Sequence, residues 1–445
     1  MYYAHPLKDI VAKQKKGIPA GIYSACTANK FVIEAVMERA LPFGEYVLIE
    51  ATANQVNQFG GYSGMQPAEF KNFVFEIAEK VHFPKEKIIL GGDHLGPIIW
   101  KNEPTQTALK KAIDLITSYV YAGFTKIHID TSMHLADDDS SKRLDTTTIA
   151  SRGAILCKAA EKAYQDLKEK DSSAIPPVYV IGSEVPIPGG IQDKSEEIIQ
   201  VTKTKDFEDT VNTFHKEFLK LGLENAWENV LAVVVQPGVE FGDETIHQYD
   251  RNAAKELCSS LHQFPGIVFE GHSTDYQTRK ALKEMVEDGI AFLKVGPALT
   301  FALREGLFAL NHIENELYKY NSSVKLSDFI QVLDDVMVKN PSNWEKYYHG
   351  SENSLRIARK YSFSDRCRYY LPIQEVQESI NRLINNLSSE PIPLTLLSQF
   401  MPIQYNKIRN GELSNNPESL IKDAIVQCID NYRYAVTPSR VSFAR

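Results

Sequence analysis

From about residue 17 to 320, short apolar runs alternate with amphipathic stretches, and the apolar runs end in acids, histidines or amides. They read YVLIEATANQ (46–55), IILGGDHLGP (88–97), IHIDTSMH (127–134), YVIGSEVPIPGG (179–190), VVVQPGVEFG (233–242) and IVFEGHSTDY (267–276). Runs rich in Val and Ile without strict alternation mark parallel strands buried on both faces. The pattern predicts strands at 18–26, 46–52, 87–92, 126–131, 178–184, 230–236, 266–271 and 291–296. Between them apolar residues recur every three to four positions, which predicts helices over 31–41, 68–81, 107–123, 146–168 and 207–222. Strands and helices alternating in this number predict an α/β fold, a (β/α)8 TIM barrel. A doubly wound sheet is the structural alternative. Against it, no GxGxxG or GxxxxGK[ST] follows the first strand.

The alternation stops near residue 325. Helical patterns follow, separated by PIPLTL (391–396) and by Met401-Pro402. The expected organisation is a TIM-barrel domain over 1–324 and a helical C-terminal extension over 325–445 packed on it. Trp344, Tyr347, Tyr348, Tyr369, Tyr370 and Tyr405 make this tail too aromatic for a disordered one.

Composition narrows the class. A formal charge of −8 argues against a general nucleic-acid binder, which needs a basic stripe. No apolar run reaches the roughly 18 residues of a membrane span, and the N-terminus lacks an apolar core of signal-peptide type. The five cysteines are odd in number, scattered, and form no CxxC. They predict reduced thiols in a cytoplasmic protein.

The chemistry is expected where the strands end, because the C-terminal ends of barrel strands share one mouth. In Gly91-Gly92-Asp93-His94 the glycines predict close approach of backbone to ligand. The acid and imidazole that follow suit proton transfer beside a metal ligand. Glu270-Gly271-His272-Ser273-Thr274-Asp275 repeats that chemistry and offers His272 to the same metal. Glu184 is placed for ligation or acid–base work, just before the loop 186–190, or else lies in solvent. Glu50 and Asp130 close two further strands and either move protons or tie the mouth together. Gln236 and Glu240 are candidates for substrate hydroxyls, as is Gln55 in the amide-rich stretch 54–62. Lys294, Gly296, Thr300 and Arg304 stand where barrels often hold phosphate, although Arg304 equally suits an ion pair within its helix. His128, with apolar neighbours, reads as a satisfied core histidine ahead of the alternative, a metal ligand. Together these groups suit a divalent metal (Zn, Mn, Co, Ni or Mg) holding the carbonyl–hydroxyl pair of a sugar phosphate.

Longer strings carry a resemblance. HPLKDIVAKQKKGIPAGIYS, EATANQVNQFGGYSGM, ILGGDHLGP, KIHIDTSM, VQPGVEFGD, HSTDYQT and LKVGPALTFALREGLFAL, with NWEKYYHG, RYYLP and IPLTLLSQFMP in the tail, span nearly the whole chain. They resemble the Z-subunit family of class II D-tagatose-1,6-bisphosphate aldolases, of galactitol and N-acetylgalactosamine catabolism. The resemblance implies a TIM barrel and one of two functions. One is a metal-dependent 4-epimerase interconverting D-tagatose 6-phosphate and D-fructose 6-phosphate. The other is a non-catalytic partner that stabilises and activates a separate aldolase subunit. The implied partners are a ketohexose phosphate and a class II aldolase catalytic subunit, with homo-oligomerisation left open.

Class II fructose-bisphosphate aldolases are similar at fewer points. Their proton-transfer acid and zinc histidine line up with Asp93 and His94, and a later histidine ligand with His272. Their remaining histidine ligand has no clear counterpart, since the sixth strand ends in Gln236, which leaves Glu184 as the expected substitute. On this resemblance His94, His272 and Glu184 hold the metal. Asp93 and one of Glu50, Asp130 or Glu240 move protons, while Lys294, Ser273 and nearby amides bind phosphate.

Overall fold

The computed structural model describes residues 5–186 and 199–438. Eight parallel strands close into a barrel in chain order: β1 (Ile22–Cys26), β2 (Val47–Thr52), β3 (Ile88–Leu95), β4 (Lys126–Ile129), β5 (Val178–Ile181), β6 (Val230–Val235), β7 (Val268–Gly271) and β8 (Ile290–Val295). β1 closes the ring, pairing with β2 on one side and β8 on the other, where Ile22 faces Phe292 and Ala25 faces Val295. The fold is the expected TIM barrel. A short antiparallel ribbon after β6, Glu240–Phe241 against Ile246–His247, was not visible in the pattern because it spans two residues a side.

Local chemistry sets the helix ends. Asn29 accepts the N–H groups of Phe31 and Val32 at the start of Lys30–Ala40, and Asp145 accepts that of Thr148 at the start of Thr146–Lys170. Such side-chain caps satisfy amides that a first turn leaves unpaired. Gly123 ends Thr105–Ala122 at φ 93°, a left-handed conformation that glycine adopts without steric cost.

The lower half of the barrel interior is apolar. Ile22, Leu48, Ile89, Val180, Val234 and Phe292 pack there with Leu7 and Val11 of the helix Pro6–Lys15, which seals the N-terminal end. The other end is left for chemistry.

Beyond the helix Pro297–Tyr318 the described chain contains helices and short 3-10 turns alone. The last helix, Pro417–Val436, packs on β1 and on the helices Lys30–Ala40, Arg279–Glu287 and Pro297–Tyr318. Its Tyr432 ring lies 5.8 Å from that of Tyr23, and its hydroxyl donates to the carbonyl of Thr274 at 2.8 Å. A Cβ at Gly306 would stand 3.3 Å from that of Ala424, so glycine lets the two helices approach closely. The tail is therefore part of the barrel's outer wall. All five cysteines are free, and no described helix is long and apolar enough to cross a membrane.

Candidate active site at the barrel mouth

Above the apolar floor the inward positions carry charge. Lys126 on β4 is fully buried, with Nζ 2.6 Å from Glu50 Oε1 on β2 and 2.5 Å from Glu270 Oε2 on β7. Lys294 on β8 contacts Glu50 Oε2 and lies 2.9 Å from Asp93 Oδ1. Gly91 makes this possible, because a Cβ there would fall 2.6 Å from Glu50 Cγ. The expected opening of the Gly91-Gly92 backbone to a ligand is corrected: Gly91 leaves room for a buried carboxylate, and Gly92 for Leu95 and Tyr119.

A bulge explains how neighbouring Asp93 and His94 both reach the mouth. In a regular strand they would face opposite sides. The register of β3 on β4 shifts between Gly92 and Leu95, and His94 has φ 49°. Such a bulge re-aims side chains, and Asp93 and His94 line one cavity. Ser273, beside His272, is left-handed too, at φ 52°.

Three imidazoles form a triangle. The ring centroids of His94, His128 and His272 are 5.0, 5.0 and 5.1 Å apart. Asp130 Oδ2 holds His94 Nδ1 at 2.8 Å, and Asp130 Oδ1 is fixed by the N–H and hydroxyl of Ser132. Glu270 Oε1 holds His272 Nε2 at 2.9 Å. A carboxylate on one ring nitrogen orients the other toward a metal. His128 Nδ1 lies 2.8 Å from Asp93 Oδ1 and 3.1 Å from the backbone nitrogen of His94; donating to the carboxylate leaves the lone pair on Nε2, which is buried with no hydrogen-bond partner among the described residues. The reading of His128 as a satisfied core histidine is therefore corrected.

Electrostatics favour a cation here. Burial pushes His272 down to about 4, so the imidazole is neutral, the form that ligates metals. Burial also lowers His94, but Asp93 and Asp130 beside it outweigh that and raise it. Burial opposes ionisation of Asp130, yet the bond from His94 holds it down at about 2. Asp93 is likewise kept well below the usual carboxylate range, against burial, by His94 and Lys294; Glu270 is kept there by Lys126 and Lys294. The buried carboxylates Glu50, Asp93, Asp130 and Glu270 outnumber the buried ammoniums Lys126 and Lys294 by four to two. Each of these carboxylates has a lysine or histidine partner, but even with His94 raised toward its charged form the cluster keeps an excess of negative charge, which a divalent cation would balance. Asp93, His128, Glu270 and His272 each offer a ligand atom within 4.8 Å of the others, with the His94 ring alongside. The residues present fit a divalent metal.

The other expected site residues divide. Gln55, Ser273, Asp275, Lys294 and Gly296 line the cavity with Asp93, His94 and His272. Glu184 does not join them: its carboxylate is ion-paired with the exposed Arg143, and His128 takes the place among the ligating groups assigned to it. Residues 187–190 of the loop beyond it lie outside the described residues. Glu50 lies buried between two lysines and is not among the cavity-lining residues, the arrangement of its alternative role in tying the mouth together. Asp130 orients His94. Gln236 Oε1 accepts the N–H groups of Gly238 and Val239, so it shapes its own turn. Glu240 is buried on the ribbon, away from the cavity lining, with Oε1 on the N–H of Phe241.

The expected phosphate site is also altered. Asp275 Oδ1 accepts the N–H groups of Gly296 and Ala298, at 3.0 and 2.8 Å, and so occupies the helix N-terminus offered to phosphate. Arg304 donates from Nε to Asp365 Oδ1 at 3.0 Å, Thr300 donates to Asp365 Oδ2 at 2.6 Å, and Phe301 stacks on the guanidinium. Neither Thr300 nor Arg304 lines the cavity with the histidines. Arg304 is a buried structural ion pair, and its partner comes from the tail instead of its own helix.

Sequence reasoning missed the tail's contribution. Arg368 and Tyr369 line the cavity, with Tyr62 from the loop after β2. Tyr62 and Tyr369 meet edge to face at 4.8 Å. The cluster of arginines and tyrosines at 366–370 was the one signal available, and it carries no indication of where the tail folds back.

The family model described as D-tagatose-1,6-bisphosphate aldolase subunit GatZ/KbaZ-like matches residues 7–437. The D-tagatose-1,6-bisphosphate aldolase subunit GatZ of Klebsiella pneumoniae is 47% identical over 428 residues, 96% of this chain and 98% of that protein. The subunit of the same name from Salmonella dublin is 46% identical over 432 residues, 97% and 99% of the two chains. A crystal structure described as a probable tagatose 6 phosphate kinase from Sinorhizobium meliloti 1021 matches at a TM-score of 0.84 and 43% identity, over 94% of this chain and 100% of that one.

Proposed function

We propose a function from the premise that the chain belongs to the GatZ/KbaZ-like family of D-tagatose-1,6-bisphosphate aldolase subunits, as the match over residues 7–437 shows. On that premise the barrel mouth is a metal-dependent site for a ketohexose phosphate. Its reaction is 4-epimerisation between D-tagatose 6-phosphate and D-fructose 6-phosphate. The observation that carries this reading is the triangle of His94, His128 and His272, two of its rings braced by carboxylates. A subunit that only stabilises another protein has no need of it.

Carbon 4 of a ketohexose is not adjacent to the C2 carbonyl, so its proton is not acidic enough for direct abstraction. Inversion therefore takes either transient oxidation or cleavage of the C3–C4 bond. The sequence offers no dinucleotide motif for the first. In cleavage the C4 hydroxyl loses its proton and becomes an aldehyde, while the bonding electrons pass toward the C2 carbonyl as an enediolate. Turning the aldehyde and re-forming the bond inverts C4. A divalent metal would be held by His128 and His272 with Asp93 or Glu270, the His94 ring alongside, and would supply Lewis acidity toward the carbonyl. In this reading Asp93 takes the hydroxyl proton on Oδ2, which faces the Cys26 thiol and His94 Nε2 at 4.0 and 3.8 Å, while Oδ1 is engaged by Lys294 and His128. Asp130 fixes the His94 ring, and Gln55 on the cavity wall meets sugar hydroxyls.

Incubating the purified chain with fructose 6-phosphate and each of Zn, Mn, Co, Ni and Mg tests the reading. Tagatose 6-phosphate should appear with at least one metal and fall at least 100-fold in His94→Ala and His272→Ala. Conversion that survives both substitutions sinks it.

A second reading is favoured by the names of the relatives at 46% and 47% identity, which are aldolase subunits. In it the chain stabilises and activates a class II aldolase catalytic subunit. Co-purification with such an aldolase, and a shortened aldolase half-life without this chain, supports it. An isolated chain that holds no metal and turns over no sugar phosphate favours it over the first.

A further inference from the structure

The site as described leaves a phosphate without a cation. Lys294 is neutralised by Glu50 and Asp93, the amides of Gly296 and Ala298 are taken by Asp275, and Arg304 is buried on Asp365. Among the described residues lining the cavity, the other permanent cation is Arg368.

Arg368 is tied down entirely by neutral groups. Nη1 donates to the carbonyls of Ser364 and Asp365, and Nη2 donates to the Tyr369 hydroxyl at 2.9 Å. Tyr62, whose ring meets that of Tyr369 edge to face at 4.8 Å, lines the cavity beside it. No carboxylate ion-pairs with it among the described residues. The two acids that feel its charge are engaged elsewhere, Asp365 by Arg304 and Thr300 and Asp275 by the helix amides. A guanidinium fork without a counter-ion matches a phosphate in charge and geometry.

Its position is set in advance. The hydroxyls of Ser362 and Ser364 donate to Asp243 Oδ1 at 2.9 and 3.0 Å. Tyr276 donates to the carbonyl of Phe363 at 2.6 Å, and Asp365 locks onto Arg304. The tail segment is thus pinned to the loops after β6 and β7 and to the helix after β8. A pre-ordered group loses little entropy on binding.

We propose that Arg368, carried across the barrel mouth by the tail, is the anion anchor of this site and binds the phosphate of a ketohexose 6-phosphate beside Tyr62 and Tyr369. The inference rests on the functional reading above and extends it. When the C3–C4 bond of a ketohexose 6-phosphate breaks, the phosphate stays on the three-carbon aldehyde. The same proton and electron pair return when the bond re-forms. An anchor on the phosphate keeps the aldehyde in the site while its carbonyl face turns.

The test is calorimetric titration of inorganic phosphate into the full chain at constant ionic strength. Wild type is compared with Arg368→Met and, in case the methionine variant does not fold, Arg368→Gln. Wild type should bind saturably, and loss of the charge should weaken binding roughly 10- to 100-fold, as expected for hydrogen bonds to a charged group. KM for fructose 6-phosphate should rise in parallel, with a smaller change in kcat. Phosphate binding by a folded variant at wild-type affinity overturns the proposal, and so does a wild type that binds no phosphate. The titration needs no turnover, so the two readings fail separately. Arg368-dependent phosphate binding without sugar turnover upholds the anchor and removes the epimerase. Turnover with KM unmoved by the substitution does the reverse.

Discussion

His94 and His128 lie 34 positions apart in sequence and touch twice. Their rings stand 5.0 Å apart, and the backbone nitrogen of His94 lies 3.1 Å from Nδ1 of His128. The bulge that turns His94 into the mouth is thereby pinned to β4 by the ring beside it. Each histidine fixes the other's place in the triangle.

Metal content should follow the triangle and ignore Glu184. His128→Gln should lower the bound divalent metal to less than about a tenth of wild type, because it removes a ligand from a three-imidazole site. Glu184→Gln should leave it unchanged, its carboxylate being engaged by Arg143. Elemental analysis of both proteins checks this, and the opposite pattern would restore the sequence-based ligand set.

Lys126 should be a large stability determinant although it lies below the cavity. Lys126→Met leaves Glu50 and Glu270 facing each other in the interior without their shared cation. Breaking a buried ion pair in this way costs about 3–5 kcal/mol. Urea denaturation should show the loss, and Glu50→Gln added to the variant should recover part of it. A midpoint unmoved by Lys126→Met would mean that this charge network contributes nothing net.

Asp275 gives stability a pH dependence. Burial raises its carboxyl from 3.8 to about 6 in the folded chain, so folding favours the protonated form. Its contribution is fully present below about pH 4 and is lost as pH rises through 6. Asp275→Asn keeps an acceptor for Gly296 and Ala298 but does not titrate. The variant should match wild type near pH 4 and exceed it above pH 6 by at most about 3 kcal/mol, taking about 1.4 kcal/mol per unit. Denaturant midpoints from pH 4 to 8 measure the difference, and a flat difference across that range refutes the assignment.

Arg304 should matter to folding before it matters to substrate. Arg304→Met leaves Asp365 buried with only the Thr300 hydroxyl and the Cys367 thiol, at a cost of about 3–5 kcal/mol. Were Arg304 instead a direct phosphate ligand, the same change would raise KM and leave the melting temperature in place. Thermal denaturation alongside kinetics separates the two.

Much of the barrel was legible because it follows from local periodicity. A strand buried on both faces must be apolar along its length, and a helix on the outer wall must be apolar on one stripe, so each announces itself within about ten residues. The strand ends were legible for the same reason. Asp93, His94, His272 and Lys294 follow directly on apolar runs, and all four line the cavity. The remaining assignments depended on which distant side chains meet. His128 sits inside an apolar run, so its surroundings in sequence look like core, and only closure of the barrel brings its ring to the other two. Glu184 and Glu50 also follow apolar runs, yet one pairs with the exposed Arg143 and the other is caught between two lysines.

An eight-stranded α/β barrel with titratable groups at one mouth follows from segments read one at a time, because hydrophobic period and strand-end chemistry are written within each. Which of those groups converge and which become counter-ions follows from closure of the ring. So does the return of the tail over the mouth with Arg368, while Arg304 turns to Asp365. The physical reason is that a site is assembled across the ring and from the far end of the chain. The charge balance and steric fit that select its members exist only once the strands have closed.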